Sequence, residues 1–267
     1  MDLINRLPRR VRHETRFRLL TVARVERLTP LMVRVVLTGD LAGFTTQGYD
    51  DHVRAFFFAP GQEPVVPFMS PEGAVFPPGV ERPQSRDYTP RRYDPVANTL
   101  DIDFVLHGEG PASSWAARVA EGDTLLIGGP RGSMLIPDAF DWYLLAGDET
   151  ALPAIARRLE EMPEGRRVLA FLEVADEAEE QVLPTRADAT ITWVHRNGAP
   201  AGTTTLLQDA LAAQDFPAGV PFVFVAGEAN QSRAIRRYLA EARGLSEDYL
   251  KAAGYWLLGQ ADAHEPH

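Results

Sequence analysis

The stretch Arg82-Pro83-Gln84-Ser85-Arg86-Asp87-Tyr88-Thr89-Pro90-Arg91-Arg92-Tyr93-Asp94-Pro95 decides how the chain is read. Its centre, Arg86-x-Tyr88-Thr89, sets a guanidinium, an aromatic ring and a hydroxyl along four residues of extended backbone. Side chains alternate faces along a strand, so Arg86 and Tyr88 share one face and Thr89 adds a short polar group beside them. A planar guanidinium can bind two phosphate oxygens at once, which suits a pyrophosphate. The ring two residues on can lie against a flat heterocycle, and Thr89 can bond a ring nitrogen. Together the three read as a flavin dinucleotide site. Taken alone, they read equally well as an Arg-rich surface hairpin.

The segments around this stretch are short strands. Leu19–Leu28 and Leu31–Thr38 are rich in β-branched residues and are split by Thr29-Pro30; Val53–Ala59 closes at Pro60-Gly61. Pro64–Pro83 is too Pro-dense for helix and reads as a long surface loop. The Arg86 segment, Thr99–His107 and Asp123–Gly128 complete a set expected to form an antiparallel barrel. One helix is expected, Pro111–Ala120, entered through Gly108-Glu109-Gly110 with Ser113 and Ser114 in its first turn. A helix start of this kind offers N–H groups to an anion, or is simply a Gly-Pro start with solvated serines.

From Trp142 the period changes. Trp142–Gly147, Arg167–Val174, Thr190–Arg196 and Pro221–Gly227 read as continuous apolar strands. Helices are expected at Thr150–Met162, Thr203–Gln214 and Ala229–Arg243, with a short one at Ser246–Lys251 leading into Ala252–Leu258. Such alternation predicts a parallel sheet covered on both faces. The acidic segment Glu173–Asp188 reads as a solvated loop. The expected organisation is a basic arm (1–15), a β-barrel (16–138), an α/β domain (139–260) and a tail (261–267), with the boundary near Pro137–Asp141.

Composition narrows the chemistry. The 267 residues include no cysteine, which excludes disulfides, thiolate zinc sites and cysteine-held iron–sulfur clusters; separately, no resident metal is expected. A net charge of −10 argues against a general nucleic-acid binder. No apolar run approaches the roughly 20 residues that span a bilayer, and the six arginines between Arg6 and Arg18 precede no apolar signal core. A cytoplasmic location and a monomer are expected, with the arginine-rich arm an exposed tail. Neither G-x-G-x-x-G nor a P-loop is present. A barrel followed by an α/β domain would place a ligand cleft between them. Parallel sheets bind beyond the carboxyl ends of their strands. Those ends carry Gly147-Asp148-Glu149-Thr150, His195-Arg196-Asn197 and Gly227-Glu228-Ala229-Asn230. Thr150 is expected to begin a helix and offer its hydroxyl and N–H to a phosphate or nicotinamide. Asp148 and Glu149 read as first-turn charges favoured by the helix dipole.

Several ordered segments resemble one family. They are Asp51-His52-Val53-Arg54, Arg86-Asp87-Tyr88-Thr89, Asp103-Phe104-Val105-Leu106-His107-Gly108, Gly110-Pro111-Ala112-Ser113-Ser114-Trp115, Gly129-Pro130-Arg131-Gly132, Gly147-Asp148-Glu149-Thr150-Ala151-Leu152-Pro153-Ala154-Ile155, Gly227-Glu228-Ala229 and Gly254-Tyr255-Trp256. In this order, over roughly residues 16–258, the chain resembles the siderophore-interacting proteins, FAD-dependent ferric-siderophore reductases of the ferredoxin–NADP reductase-like superfamily. The resemblance implies an FAD barrel followed by an NAD(P)H-binding-like domain. It implies that Arg86, Asp87, Tyr88 and Thr89 hold flavin and pyrophosphate, that Asp103, Phe104, Val105 and His107 line the cofactor, and that Ala112, Ser113, Ser114 and Trp115 bind the diphosphate. Thr150 and Trp256 are assigned to the cofactor side as well. His52 reads as a barrel contact or a ligand contact. Because flavin carries the chemistry, no protein nucleophile or general acid is needed.

The expected substrate is a ferric siderophore, often anionic, for which Arg131, Arg233 and Lys251 are candidate cations; each also reads as an ordinary exposed charge. NADPH, NADH or reduced ferredoxin is the expected donor. Arg196 could meet a 2′-phosphate or be a solvated strand end. One departure is that Leu257-Leu258-Gly259-Gln260 follows Gly-Tyr-Trp where the family commonly has basic residues. Two other readings share the fold: a diaphorase or flavin reductase without an iron role, and a non-catalytic siderophore-binding protein.

Overall fold

Alternating burial makes the first half of the chain a set of strands: Arg18, Leu20 and Val22 point inward while Leu19 and Thr21 are exposed. The structure, a computed structural model, describes residues 6–59, 61–70, 73–108 and 110–260. Pro8–Ile136 forms one compact unit; Pro137 onward, with the N-terminal residues up to Leu7, forms the other.

The first unit contains β1 (Arg9–Arg12), β2 (Phe17–Thr29), β3 (Met32–Thr38), β4 (Val53–Phe57), β5 (Phe68–Ser70), β6 (Gly73–Val75), β7 (Gln84–Tyr88), β8 (Pro90–Asp94), β9 (Thr99–Val105), helix α1 (Pro111–Ala116), β10 (Thr124–Gly128) and β11 (Gly132–Leu135). Seven strands form an antiparallel sheet in the order β7-β4-β10-β2-β3-β9-β8. Its edge strands, β7 and β8, are joined through Thr89 alone, so the sheet curls into a barrel. Inside lie Leu20, Val35, Leu37, Val53, Leu100, Ile102, Phe104 and Ile127. Burying each such side chain is worth about 1.5–3 kcal/mol.

Three details differ from expectation. The Pro64–Pro83 segment carries a small hairpin, β5 with β6, whose Pro71 and Glu72 lie outside the described residues, as do Pro60 and Glu109. Helix α1 stops at Ala116, because Asp123 accepts a bond from the Ala120 N–H and Gly122 adopts a φ of 91°, drawing the chain into a turn. The arginine-rich arm is not a loose tail from Arg6 on: β1 pairs with β11, and Arg6 is buried, donating to Ala139 O at 3.0 Å and Asp141 at 3.3 Å. Met1–Asn5 and the tail Ala261–His267 fall outside the described residues.

The second unit contains β12 (Trp142–Asp148), α2 (Leu152–Glu161), β13 (Arg167–Val174), β14 (Asp188–His195), α3 (Leu206–Ala213), β15 (Pro221–Glu228), α4 (Ala229–Arg237) and β16 (Leu250–Trp256). The strands are all parallel, in the order β14-β13-β12-β15-β16. Every residue of β12 and β15 is buried, as strands covered on both faces require. The order reverses beside β12, so the carboxyl ends of β12 and β15 flank the switch point where open α/β sheets bind ligands. Glu173 is the correction with most consequence: it is the penultimate residue of β13 and fully buried, not part of a solvated loop. Helix α4 gives way at Tyr238 to one π-turn, and Lys251 lies in β16 after a 3₁₀ turn at Glu247–Tyr249. Among the described residues no helix is long and apolar enough to cross a membrane.

Candidate functional site

Strands β4 and β7 pair so that Ala55 faces Arg86 and Arg54 faces Asp87. Arg86 is half-buried and donates to its neighbour Ser85 O at 2.8 Å. Burial pulls its pKa below the ordinary guanidinium range, Tyr88 counters this, and the charge of Arg54 adds to the fall. A cation partly removed from water beside a second cation is favoured by an incoming anion. Asp87 is committed to Arg54, which donates to both of its oxygens at 2.8 Å. Its carboxylate therefore holds Arg54 in place.

The ring of Tyr88 packs against Phe104 at 4.4 Å between centroids and against Phe57 at 6.4 Å. Trp115 from α1 joins them, 5.4 Å from Phe104 and 5.8 Å from Phe57. Burial drives the Tyr88 phenol pKa upward, so the ring stays neutral. Phe104 is fully buried, and its side chain supports the cluster from within the barrel. Thr89 is buried at the corner between β7 and β8. Asp103 is taken up in the sheet: Arg34, its register partner on β3, donates to both carboxylate oxygens at 2.7 and 2.8 Å. Val105 is half-buried at the end of β9.

Beyond β9 the chain reaches α1. His107 is exposed, and its backbone N–H donates to the buried Ser113 hydroxyl at 2.8 Å, which fixes the loop onto the helix. Ala112 is buried, Ser114 is half-buried, and no side chain caps the first turn. Gly108 has a φ of 51°, and a Cβ there would meet nothing within 4 Å, so backbone is open to approach at this point. The guanidinium of Arg86, the aromatic cluster and an uncapped helix start make a donor set that fits a dinucleotide with a flat ring. His52 is exposed, whereas Asp51 beside it is buried and accepts from Thr46 Oγ1, the N–H groups of Gln47 and Gly48, and Ser133 Oγ.

The strand ends of the second unit hold a polar network. Asp148 Oδ1 accepts from the Thr150 N–H at 2.9 Å and from its hydroxyl; Oδ2 accepts from Trp256 Nε1 at 2.7 Å and the Glu228 N–H at 3.0 Å. Thr150 thus closes a turn onto Asp148, and α2 begins at Leu152, so Thr150 is not a helix start. Nor is Asp148 a solvated first-turn charge: burial, then the charge of Glu149, pushes its pKa up to about 6. Arg196 is neither exposed nor open to a phosphate. It donates to both oxygens of Glu149, at 2.6 and 2.7 Å, and approaches Glu173 at 3.5 Å. Thr204 donates to the other oxygen of Glu173 at 3.1 Å. Burial raises the Glu173 pKa against the opposing charge of Arg196.

Of the three substrate cations, Arg131 is exposed after β10, and its backbone oxygen accepts from His13 N–H at 3.0 Å. Arg233 is exposed on α4 and donates to Asn230 at 2.7 Å, while Lys251 is half-buried opposite Phe224. Sequence reasoning passed over Arg34, Phe57, Glu173 and Thr204. The first two sat in plain β patterns whose partners are remote in sequence, and only a register could have paired them.

The sequence matches the family described as the siderophore-interacting FAD-binding domain over residues 21–134, and that described as the siderophore-interacting protein over residues 140–259. The chain belongs to the siderophore-interacting protein family. Its barrel is the family's FAD-binding domain. Among solved structures it is similar to a siderophore utilization protein from T. fusca, with a TM-score of 0.89 and 44% identity over 96% of this chain and 98% of that one. It is 38% identical to the NADPH-dependent ferric-chelate reductase of Escherichia coli K12, over 96% of this chain and 99% of the relative. The ferric vibriobactin reductase ViuB of Vibrio cholerae is 34% identical over 91% and 90% of the two chains.

Proposed function

We propose that this protein is an FAD-dependent reductase of ferric siderophore complexes that takes its electrons from NADPH. The observation that carries the reading is the full-length similarity to the NADPH-dependent ferric-chelate reductase, 38% identical over 96% of this chain, on a barrel that keeps Arg86, Tyr88 and Thr89 together. When bound, FAD supplies a way to accept two electrons from a nicotinamide and pass them singly to ferric iron.

The chain's own residues bind and orient. Arg86 is assigned to the pyrophosphate, with the backbone N–H groups of Ala112 and Ser113 and the Ser114 hydroxyl at the start of α1, where Gly110 O already holds the Ser114 N–H at 2.8 Å. Tyr88, Thr89 and the segment from Val105 to His107 are assigned to the flavin. Asp87, Asp103, Phe104 and Trp115 act one step back: Asp87 holds Arg54, Asp103 holds Arg34, Phe104 packs on Tyr88, and Trp115 packs on Phe104 in turn. In the second unit Asp148 keeps the Trp256 indole and Thr150 in place for the nicotinamide. Arg131, Arg233 and Lys251 are assigned to attracting an anionic chelate. The siderophore's hard oxygen ligands hold ferrous iron less tightly than ferric, so reduction permits release.

The proposal extends to a flavin domain over 16–138, a nucleotide domain over 139–260, and a monomer working in the cytoplasm. Light scattering and cell fractionation test the last two. Reduced ferredoxin as donor is the second reading. It is favoured by the carboxylates Asp148, Glu149, Glu173 and Glu228 at the strand ends, with Arg196 already engaged, a poor setting for the phosphates of a pyridine nucleotide. The experiment is aerobic-free turnover with NADPH, NADH or reduced ferredoxin, with ferrous iron trapped by a chromogenic chelator. Ferrous production from a ferric siderophore, dependent on FAD, is expected; bound chelate with no reduction by any donor overturns the reading.

A further inference from the structure

Arg18 is a buried cation in the barrel that none of the roles assigned above uses. It lies on β2, only 6% exposed, on the same inward face as Leu20 and Val22. Its guanidinium donates to Ala42 O at 3.1 Å and sits over the Phe44 ring at 5.4 Å. Among the described residues no carboxylate pairs with it. A guanidinium has five N–H donors and one formal charge, and taking both from water with so little in return is unfavourable. Burial accordingly pulls its pKa down, and the charge of Arg16 adds to the fall.

A cavity of about 220 Å³ opens beside it, lined by Arg12, His13, Arg18, Phe44, Thr45 and Gly129 among others. A single water needs roughly 10–15 Å³ of such space, so this one is roomy enough for a small organic anion. Its charges are the cations Arg12 and Arg18 and one carboxylate, Glu14, which Arg16 already holds at 2.8 Å. His13 is oriented: the Ser133 hydroxyl donates its one hydrogen to Asp51 Oδ2 at 2.5 Å, so Ser133 Oγ accepts from His13 Nε2–H at 2.7 Å. The lining shares no residue with the segments Arg86–Thr89, Asp103–His107 or Ala112–Trp115.

We propose that this cavity binds a small oxyanion carrying at least two negative charges, with Arg18 as its buried anchor and Arg12 as its exposed one. Phosphate and polycarboxylates share that chemistry. Occupancy ties β1, through Arg12, to β2, through Arg18, and so couples anion binding to stability of the barrel.

The test uses FAD-loaded protein, titrated calorimetrically and melted at constant ionic strength with phosphate, with citrate, or with chloride alone. Saturable binding of one anion per chain is expected, with a rise in melting temperature absent in chloride. Phosphate alone marks an inorganic oxyanion site; tighter citrate marks an organic acid site. Arg12→Gln, at an exposed position, should weaken binding about tenfold, the loss of one charge-assisted bond. Arg18→Gln should abolish it and yet melt no lower than wild type in chloride, since it removes an uncompensated buried charge. If Arg18→Gln does not fold, Arg12→Gln decides. The proposal is overturned if neither anion binds saturably, if Arg12→Gln binds as wild type, or if binding seen without FAD vanishes on loading FAD, which would make the cavity part of the flavin site.

Discussion

Replacing Arg196 with methionine tests whether the strand-end network is structural. The side chain is 5% exposed and engages Glu149, 15% exposed, and Glu173, 1% exposed. Methionine keeps the apolar stem and deletes the charge, leaving two carboxylates facing one another with Asp148 close by. Removing one partner of a buried ion pair costs about 3–5 kcal/mol, because the remaining charge has no counterion. For a unit of this size a kcal/mol is worth roughly 3–5 °C, so the transition should fall by about 9–25 °C at pH 8. The sign of the pH dependence follows. Burial already raises Glu173, and Arg196 pulls it back; without Arg196 it rises further. An acid whose folded pKa is raised destabilises above that pKa and is relieved as pH falls through it. The deficit should therefore shrink as pH is lowered from 8 in parallel melts of variant and wild type. FAD binding should persist below the transition, since the Arg86 motif belongs to the other unit. A variant that melts like wild type at pH 8, but loses preference for NADPH over NADH, would show that Arg196 reads a 2′-phosphate and that the network account is wrong.

Other outcomes are expected from the same geometry. Arg86→Ala should weaken FAD binding about 10- to 150-fold, the loss of charge-assisted bonds worth roughly 1.5–3 kcal/mol; unchanged affinity in a fluorescence titration would remove Arg86 from the site. Asp148, with a folded pKa of about 6 against 3.8 for the free side chain, takes up a proton on folding between those values. Stability should thus fall by up to about 3 kcal/mol as pH rises from 4 to 6. Asp148→Asn should flatten that slope in urea melts, and an unaltered slope would refute the assignment to Asp148. Gly227 has a φ of 143°, and a Cβ there would lie 2.6 Å from Asp148 Oδ2. Gly227→Ala should cost about 2–4 kcal/mol through backbone strain and overpacking, and a variant as stable as wild type would contradict the close packing.

Much of the architecture was legible because the patterns are local. The switch from two-residue periodicity to continuous apolar strands near Trp142 marked the passage from barrel to parallel sheet, and DHVR, RDYT and GDETALP marked the family. What stayed hidden is the pairing of charges across register. Asp87 and Asp103 read as ligands for a cofactor because their partners, Arg54 and Arg34, are set by strand pairing and not by spacing. Glu173 read as the start of an acidic loop because its one counterion, Arg196, arrives from a neighbouring strand end. Helix starts erred for a similar reason: at Thr150 a side-chain bond to Asp148 competes with helical backbone bonding, and nothing in composition ranks the two. The arginine-rich arm looked solvated because pairing with β11, a strand more than a hundred residues away, cannot be read from either segment alone.

The most direct measurement mixes FAD-reconstituted protein, reduced under anaerobic conditions, with a ferric siderophore in a stopped-flow spectrometer. The account predicts return of oxidised flavin absorbance together with ferrous iron, faster than free reduced flavin at equal concentration, and slowed when Arg86→Ala lowers FAD occupancy. A protein that stays colourless with FAD, or reoxidation no faster than free flavin, contradicts it.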